Sequence, residues 1–155
     1  MRLHPFELRI PPPVVALLLA VAMWHSERVI APFDVPPGPR LAVALAVLVV
    51  GLAVGISAVA AFRRAKTTVN PLKPEAAAAL VDTGIFRHTR NPMYLALMIG
   101  LVAWAIFLAS ALALLIGFAF VPYINRFQIE PEERVLGEKF GAAYQAYAAR
   151  VRRWI

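Results

Sequence analysis

Two short stretches of the chain hold most of the side chains able to do chemistry. The first is Gly84-Ile85-Phe86-Arg87-His88-Thr89-Arg90-Asn91-Pro92-Met93-Tyr94, which crowds three basic groups against an Asn-Pro step and a tyrosine. The second runs from Asn125 to Glu133 and contains Arg126, Gln128 and the adjacent carboxylates Glu132 and Glu133. A carboxylate pair beside apolar sequence is costly unless cations meet it, and Arg87 and Arg90 are the natural partners. Other catalytic patterns are missing: there is no Gly-rich phosphate loop and no nucleophile elbow. The three scattered histidines, His4, His25 and His88, have no metal-ligand spacing, so no metal is expected. The chain has no cysteine, which removes disulfide and thiolate chemistry. The plainer alternatives are a cationic membrane-proximal loop for the first stretch and helix-capping acids for the second.

Composition decides what surrounds these groups. Of the 155 residues 61% are apolar and only 16% charged, and mean hydropathy is +0.68. Ordinary soluble domains carry about 25% charge. The apolar residues here also come in long blocks, which indicates a single membrane-embedded domain over residues 1–155. In a soluble protein the net charge of +7 would suggest nucleic acid. In a membrane chain it reads instead as basic cytoplasmic loops facing anionic headgroups, with membrane lipids and not nucleic acid as partners. No basic n-region feeds a cleavable apolar segment, so the first apolar run is read as retained.

Residues 1–13 hold Arg2 and Arg9 and end in Pro11-Pro12-Pro13. Residues 14–24 are apolar but short for a crossing, which takes roughly 20 residues. Pro12–Pro13 and Val29–Ile30 can lengthen this run, with Trp24 as interfacial anchor. Four prolines mark residues 31–40 as an external loop. Residues 41–62 form the clearest transmembrane helix, and Gly51 and Gly55 within it serve either close helix packing or dimerisation. Arg63, Arg64 and Lys66 stop that span. Residues 67–75 read as a loop and 76–81 as a short helix or surface segment. Residues 93–124 are almost wholly apolar and would make about 48 Å of straight helix. A bilayer core is about 30 Å thick, so two antiparallel helices meeting near Ser110 are expected.

Beyond the hairpin, Leu136, Phe140, Tyr144, Tyr147, Val151 and Trp154 recur at one helical face. Glu130, Glu132 and Glu133 stand at its start and Arg150, Arg152 and Arg153 at its end, matching a helix dipole. An amphipathic helix over residues 130–155, lying on the membrane, is the expectation. The fold class is therefore all-α: a polytopic membrane protein of about four transmembrane helices, the last two a hairpin, plus a C-terminal cytoplasmic amphipathic helix. Fourteen of the sixteen Lys and Arg fall on one side of that arrangement. By the positive-inside rule both termini and both chemical stretches face the cytoplasm, in a bacterial inner membrane.

At this point the motifs resemble a family. Leu80-Val81-Asp82-Thr83-Gly84-Ile85-Phe86, Arg90-Asn91-Pro92-Met93-Tyr94, Glu132-Glu133 and Phe140-Gly141-x-x-Tyr144-x-x-Tyr147 look like the isoprenylcysteine carboxyl methyltransferase and phospholipid methyltransferase family. Order and spacing are kept from residue 67 to the C-terminus. The resemblance implies an integral membrane enzyme with S-adenosylmethionine as cofactor, residues 67–155 forming the cofactor-binding core and 1–66 two variable N-terminal spans. Carried over by position, Ala79, Leu80, Val81, Phe86, Arg90, Asn91, Pro92, Met93, Tyr94, Glu132 and Glu133 would line the cofactor. Arg126 and Gln128 would face the substrate, a lipid-like or small-molecule methyl acceptor. Asn91 stands where the family more often has His, which keeps a hydrogen-bonding side chain without titration. Gln128 stands where carboxyl methyltransferases place an arginine, which weighs against a carboxylate acceptor and leaves amine, thiol or oxygen open. The competing readings are a sterol-reductase-like enzyme that binds NADPH and a non-catalytic membrane scaffold.

Overall fold

The computed structural model describes residues 7–68, 70 and 72–155. Arg2 and His4, and Val69 and Pro71 of the 67–75 loop, lie outside the described residues. Among the described residues the secondary structure is entirely helical. Helix α1 spans Pro12–His25, α2 Pro37–Arg64 and α3 Pro92–Leu108. A long helix, α4, runs Ala111–Phe140, and a short α5 covers Ala142–Arg150. Two of these, α2 and α4, are long and apolar enough to cross a membrane, and α3 is a shorter apolar helix.

Each start has a local cause. Helices α1, α2 and α3 open with proline in the first turn, where the missing N–H has no intrahelical partner to lose. That moves the start of α2 to Pro37, so residues 37–40 of the expected external loop are its first turn. The hairpin turns where expected. Leu108 ends α3, Ala109 adopts a left-handed φ of 49°, and the Ser110 hydroxyl accepts the Ala113 N–H at 3.1 Å as an N-cap. In place of a helix at 76–81 there is one 3-10 turn at Pro74–Ala76, followed by irregular chain up to a second at Gly84–Arg87. The Thr67 hydroxyl takes the Ala78 N–H at 2.8 Å, satisfying backbone that a helix would otherwise have paired.

The C-terminal expectation needs correction. Residues 130–140 do not begin a new helix; they continue the hairpin's second arm, so Glu130, Glu132 and Glu133 sit at no helix N-terminus and cap nothing. The joint is a π-turn at Asn125–Ile129. One extra residue per turn rotates everything after it by about 100° relative to an unbroken α-helix. At Gly141 the chain then breaks, with φ 52° and ψ −125°, a conformation that only glycine holds without strain. The apolar face read from the sequence is therefore split. Leu136, Phe140, Tyr144, Tyr147 and Val151 pack onto Ala58, Ala61, Val81 and Phe86, against protein and not lipid, while Trp154 joins a different cluster.

That second cluster ties α1, α3 and α4 together through Met23, Met98, Leu101, Phe120 and Ile124, several of them fully buried. A buried side chain of this size contributes roughly 1.5–3 kcal/mol. Helix α2 lies along α3, and the two small residues decide how closely. A Cβ on Gly51 would come within 3.1 Å of Ile99 and 3.2 Å of the Ala96 carbonyl, and one on Gly55 within 3.3 Å of Ala96. The GxxxG pair thus serves packing within the chain. Away from that seam α2 leaves Val43, Leu45 and Val49 exposed, a surface suited to hydrocarbon.

Candidate active site

Where α2, α3 and α4 come together with the chain between α2 and α3, a cavity of about 590 Å³ opens. All eleven residues assigned to the cofactor from the sequence stand on its wall. Ala79, Leu80, Val81 and Phe86 arrive on the irregular segment, an apolar side. Arg90, Asn91, Pro92, Met93 and Tyr94 come from the start of α3, and Glu132 and Glu133 from the far end of α4. Sequence reasoning missed Pro11, Pro12 and Pro13, which close one side, and did not place Leu136 or Tyr147 at the site.

The two glutamates are treated differently. Tyr94 donates its hydroxyl to Glu132 Oε2 at 2.9 Å. Glu133 takes Arg90 Nη2 at 2.8 Å and Arg153 Nη2 at 2.7 Å, one on each oxygen, with Arg153 Nε at 3.2 Å as well. Arg87, expected as a partner, is exposed and makes no ion pair with either carboxylate. Arg153 takes that place; the sequence pattern offered it only as one of three arginines at the end of an amphipathic helix. Hydrogen bonding to Glu133 raises the Arg153 pKa further, so it stays charged.

Arg90 also donates from Nη1 to the Ala148 and Val151 carbonyls at 2.8 and 3.1 Å. Asn91 Nδ2 donates to the Arg153 carbonyl at 2.9 Å, the Thr89 hydroxyl reaches the same oxygen at 3.3 Å, and Arg90 N–H meets the Arg152 carbonyl at 3.0 Å. The residue that replaces a histidine thus spends its amide on the C-terminal backbone. The tail is stapled onto the start of α3. Tyr147 adds a hydroxyl bond to the Phe86 carbonyl at 2.9 Å. Burial pushes the Tyr144 phenol up to about 12 and raises that of Tyr147 too, so both remain protonated donors.

Arg126 and Gln128 are not on the cavity wall. Arg126 bonds Glu7 Oε1 at 2.6 Å, and Gln128, fully buried, donates Nε2 to the Ile10 carbonyl at 2.8 Å. Both engage the segment before α1, on which the sequence had offered no partner.

Beside the cavity lies a second space of about 830 Å³ between α1, α2 and α3, lined by side chains such as Leu17, Leu52, Ile56, Leu101 and Trp104. The two share Pro13, Gly55, Val59, Ala96 and Leu97 on their walls, and Arg63 lines the second. Among the described residues no group of three or more His, Asp or Glu is placed to hold a metal ion.

An all-helical, lipid-compatible fold with paired carboxylates in one cavity narrows the class of protein, and comparison with known proteins specifies it. A family model described as phospholipid methyltransferase matches residues 39–143, more than half of the chain. This chain belongs to that family. An uncharacterized protein of Haemophilus influenzae is 46% identical over 63 residues, which is 41% of this chain and the whole of that protein. No solved structure matches.

Proposed function

We propose that the protein is an S-adenosylmethionine-dependent methyltransferase acting on a lipid acceptor, with the cavity and both termini on the cytoplasmic side of a four-span bundle. The observation that carries this reading is the Tyr94–Glu132 pair inside a cavity walled by residues from three separated segments. The residues present fit the cofactor. Leu80, Val81, Phe86 and Met93 give an apolar wall for a flat heterocycle, while Glu132, fixed by the Tyr94 hydroxyl, faces a cation or a ribose. When bound, S-adenosylmethionine supplies a methyl carbon activated by its sulfonium, displaced in line by an acceptor lone pair.

The protein's part is then orientation and exclusion of water, which can contribute several kcal/mol to the rate. Arg90 and Arg153 pair with Glu133, so of the two carboxylates Glu132 is the one left for a ligand. Tyr94 holds the Glu132 carboxylate in one direction. The apolar wall keeps the methyl group away from water. The lateral space between α1, α2 and α3 suits an acyl chain, and Arg63 on its wall suits a lipid phosphate.

Arg90 is the arginine among the described lining residues, and Glu133 and two carbonyls occupy it. Both Nη atoms of Arg90 are committed and its Nε alone lacks a partner, which weighs against a bidentate grip on a cofactor 2′-phosphate or an acceptor carboxylate. A lipid amine is the preferred acceptor. Four spans are consistent with the lengths if α1 and α3 cross a thinned bilayer, since they measure about 21 and 26 Å.

Incubating the purified protein with labelled S-adenosylmethionine and a bacterial lipid extract, followed by mass identification, tests this. A methylated amino-phospholipid is the expected product. Absence of both labelled lipid and cofactor binding would overturn the reading.

A further inference from the structure

The segment before α1 is built as a strap across the π-turn, and its construction involves three separate devices. Pro131 has no N–H, so the carbonyl of Phe127, four residues earlier on α4, loses its intrahelical donor. The Leu8 N–H takes that carbonyl at 3.0 Å. To present it, Leu8 adopts a left-handed φ of 56°, unfavourable for a leucine and kept only where surroundings enforce it. One residue away, Glu7 is buried and grips two arginines, Arg126 Nη1 and Arg134 Nη2, each at 2.6 Å. Gln128 Nε2 then donates to the Ile10 carbonyl at 2.8 Å. The three prolines that follow form part of the cavity wall.

We infer that Glu7 is a positioning residue for the cofactor site, acting through Arg134 and Arg126 to set the rotation of the helix that presents Glu132 and Glu133. This rests on the proposed function above. Arg126 lies within the π-turn and Arg134 directly follows the two glutamates, so one carboxylate bound to both fixes how far that turn unwinds. A π-turn is a soft point in a helix, and a change of one residue in its register would swing Glu132 by about 100°, out of reach of Tyr94. Removing the Glu7 charge takes from Arg126 and Arg134 the anion they share, and leaves Arg126 with Glu130 at 4.0 Å as its remaining carboxylate. Arg126 and Gln128, which motif alignment directs toward substrate, therefore serve the strap.

The test uses the full chain in lipid nanodiscs and titrates S-adenosylmethionine by calorimetry. Glu7→Gln keeps the shape and removes the charge. Affinity should fall about tenfold, as for a modest misplacement of binding groups. The exposed acid at the far end of α1 is the control, and Glu27→Gln should bind as wild type does. Arg134→Gln should lower affinity comparably, and the double variant should be little worse than either single one, which independent structural lesions would not show. Where Glu7→Gln does not fold, Glu7→Asp, which withdraws the carboxylate by one methylene, is read in the same way. Wild-type binding with unchanged affinity in the Glu7 variants overturns this inference and leaves the proposed function standing. No binding by wild type overturns both.

Discussion

Tyr94 and Glu132 lie 38 positions apart in the sequence and 2.9 Å apart in space, and the hydroxyl bond between them is the most exposed point of the functional reading. Tyr94→Phe removes one oxygen and keeps the ring. Cofactor affinity should drop about tenfold as Glu132 loses its orientation, and the unfolding temperature should fall by several degrees, because a hydrogen bond to a carboxylate is worth about 1.5–3 kcal/mol. Glu133 behaves differently, since it holds Arg90 and Arg153 on the start of α3 and on the tail. Glu133→Ala should cost about 2 kcal/mol in stability, less than a fully buried pair because its partners keep some exposure. Calorimetric or denaturant unfolding measures it.

Tyr144 gives a pH signature. Its folded pKa is raised from 10.0 to about 12, chiefly by burial, so the unfolded chain releases the proton first. Its contribution is fully present below pH 10 and lost as pH rises toward about 12. Wild-type unfolding temperature should fall more steeply across that interval than Tyr144→Phe, and equal slopes would count against the burial argument. At this scale the motif residues were legible from type and spacing, because the cavity wall is made of them. Arg153 and Glu7 were not, since an ion pair between distant segments leaves no periodic trace.

Helices tell a similar story for different reasons. The long apolar run 41–62 and the turn at Ser110 could be read because length and bilayer thickness constrain them. The break at Gly141 was hidden inside an unbroken helical periodicity, and the π-turn at Asn125–Ile129 was hidden because one extra residue changes rotation without changing composition. Gly141→Ala should therefore be disruptive, costing about 1–3 kcal/mol for the strained backbone and loosening the tail from Phe86. Gly51 and Gly100 separate packing from propensity. Gly51→Val meets Ile99 and the Ala96 carbonyl and should destabilise by about 1–3 kcal/mol. Gly100→Ala meets nothing within 4 Å and should be neutral or stabilising by up to about 1 kcal/mol. Thermal unfolding in one detergent ranks the two.

For the whole molecule, charge distribution and membership of the phospholipid methyltransferase family point to one arrangement. Arg90 lines the cavity and Arg153 pairs with its Glu133, and exposed apolar side chains cover much of α1 and α2. Because the chain has no cysteine, single introduced thiols report sidedness directly. In intact bacterial cells, Arg28→Cys should react with an impermeant maleimide, while Arg64→Cys and Arg152→Cys should react only after the membrane is opened. The reverse pattern would invert the proposed topology. The central claim, that Glu132 in this cavity binds the methyl donor, is tested by calorimetric titration of wild type and Glu132→Ala with S-adenosylmethionine and, separately, NADPH. Saturable binding of S-adenosylmethionine that weakens at least about tenfold in Glu132→Ala, with no NADPH response, is expected. Equal affinity in both proteins, or binding of NADPH alone, would contradict it.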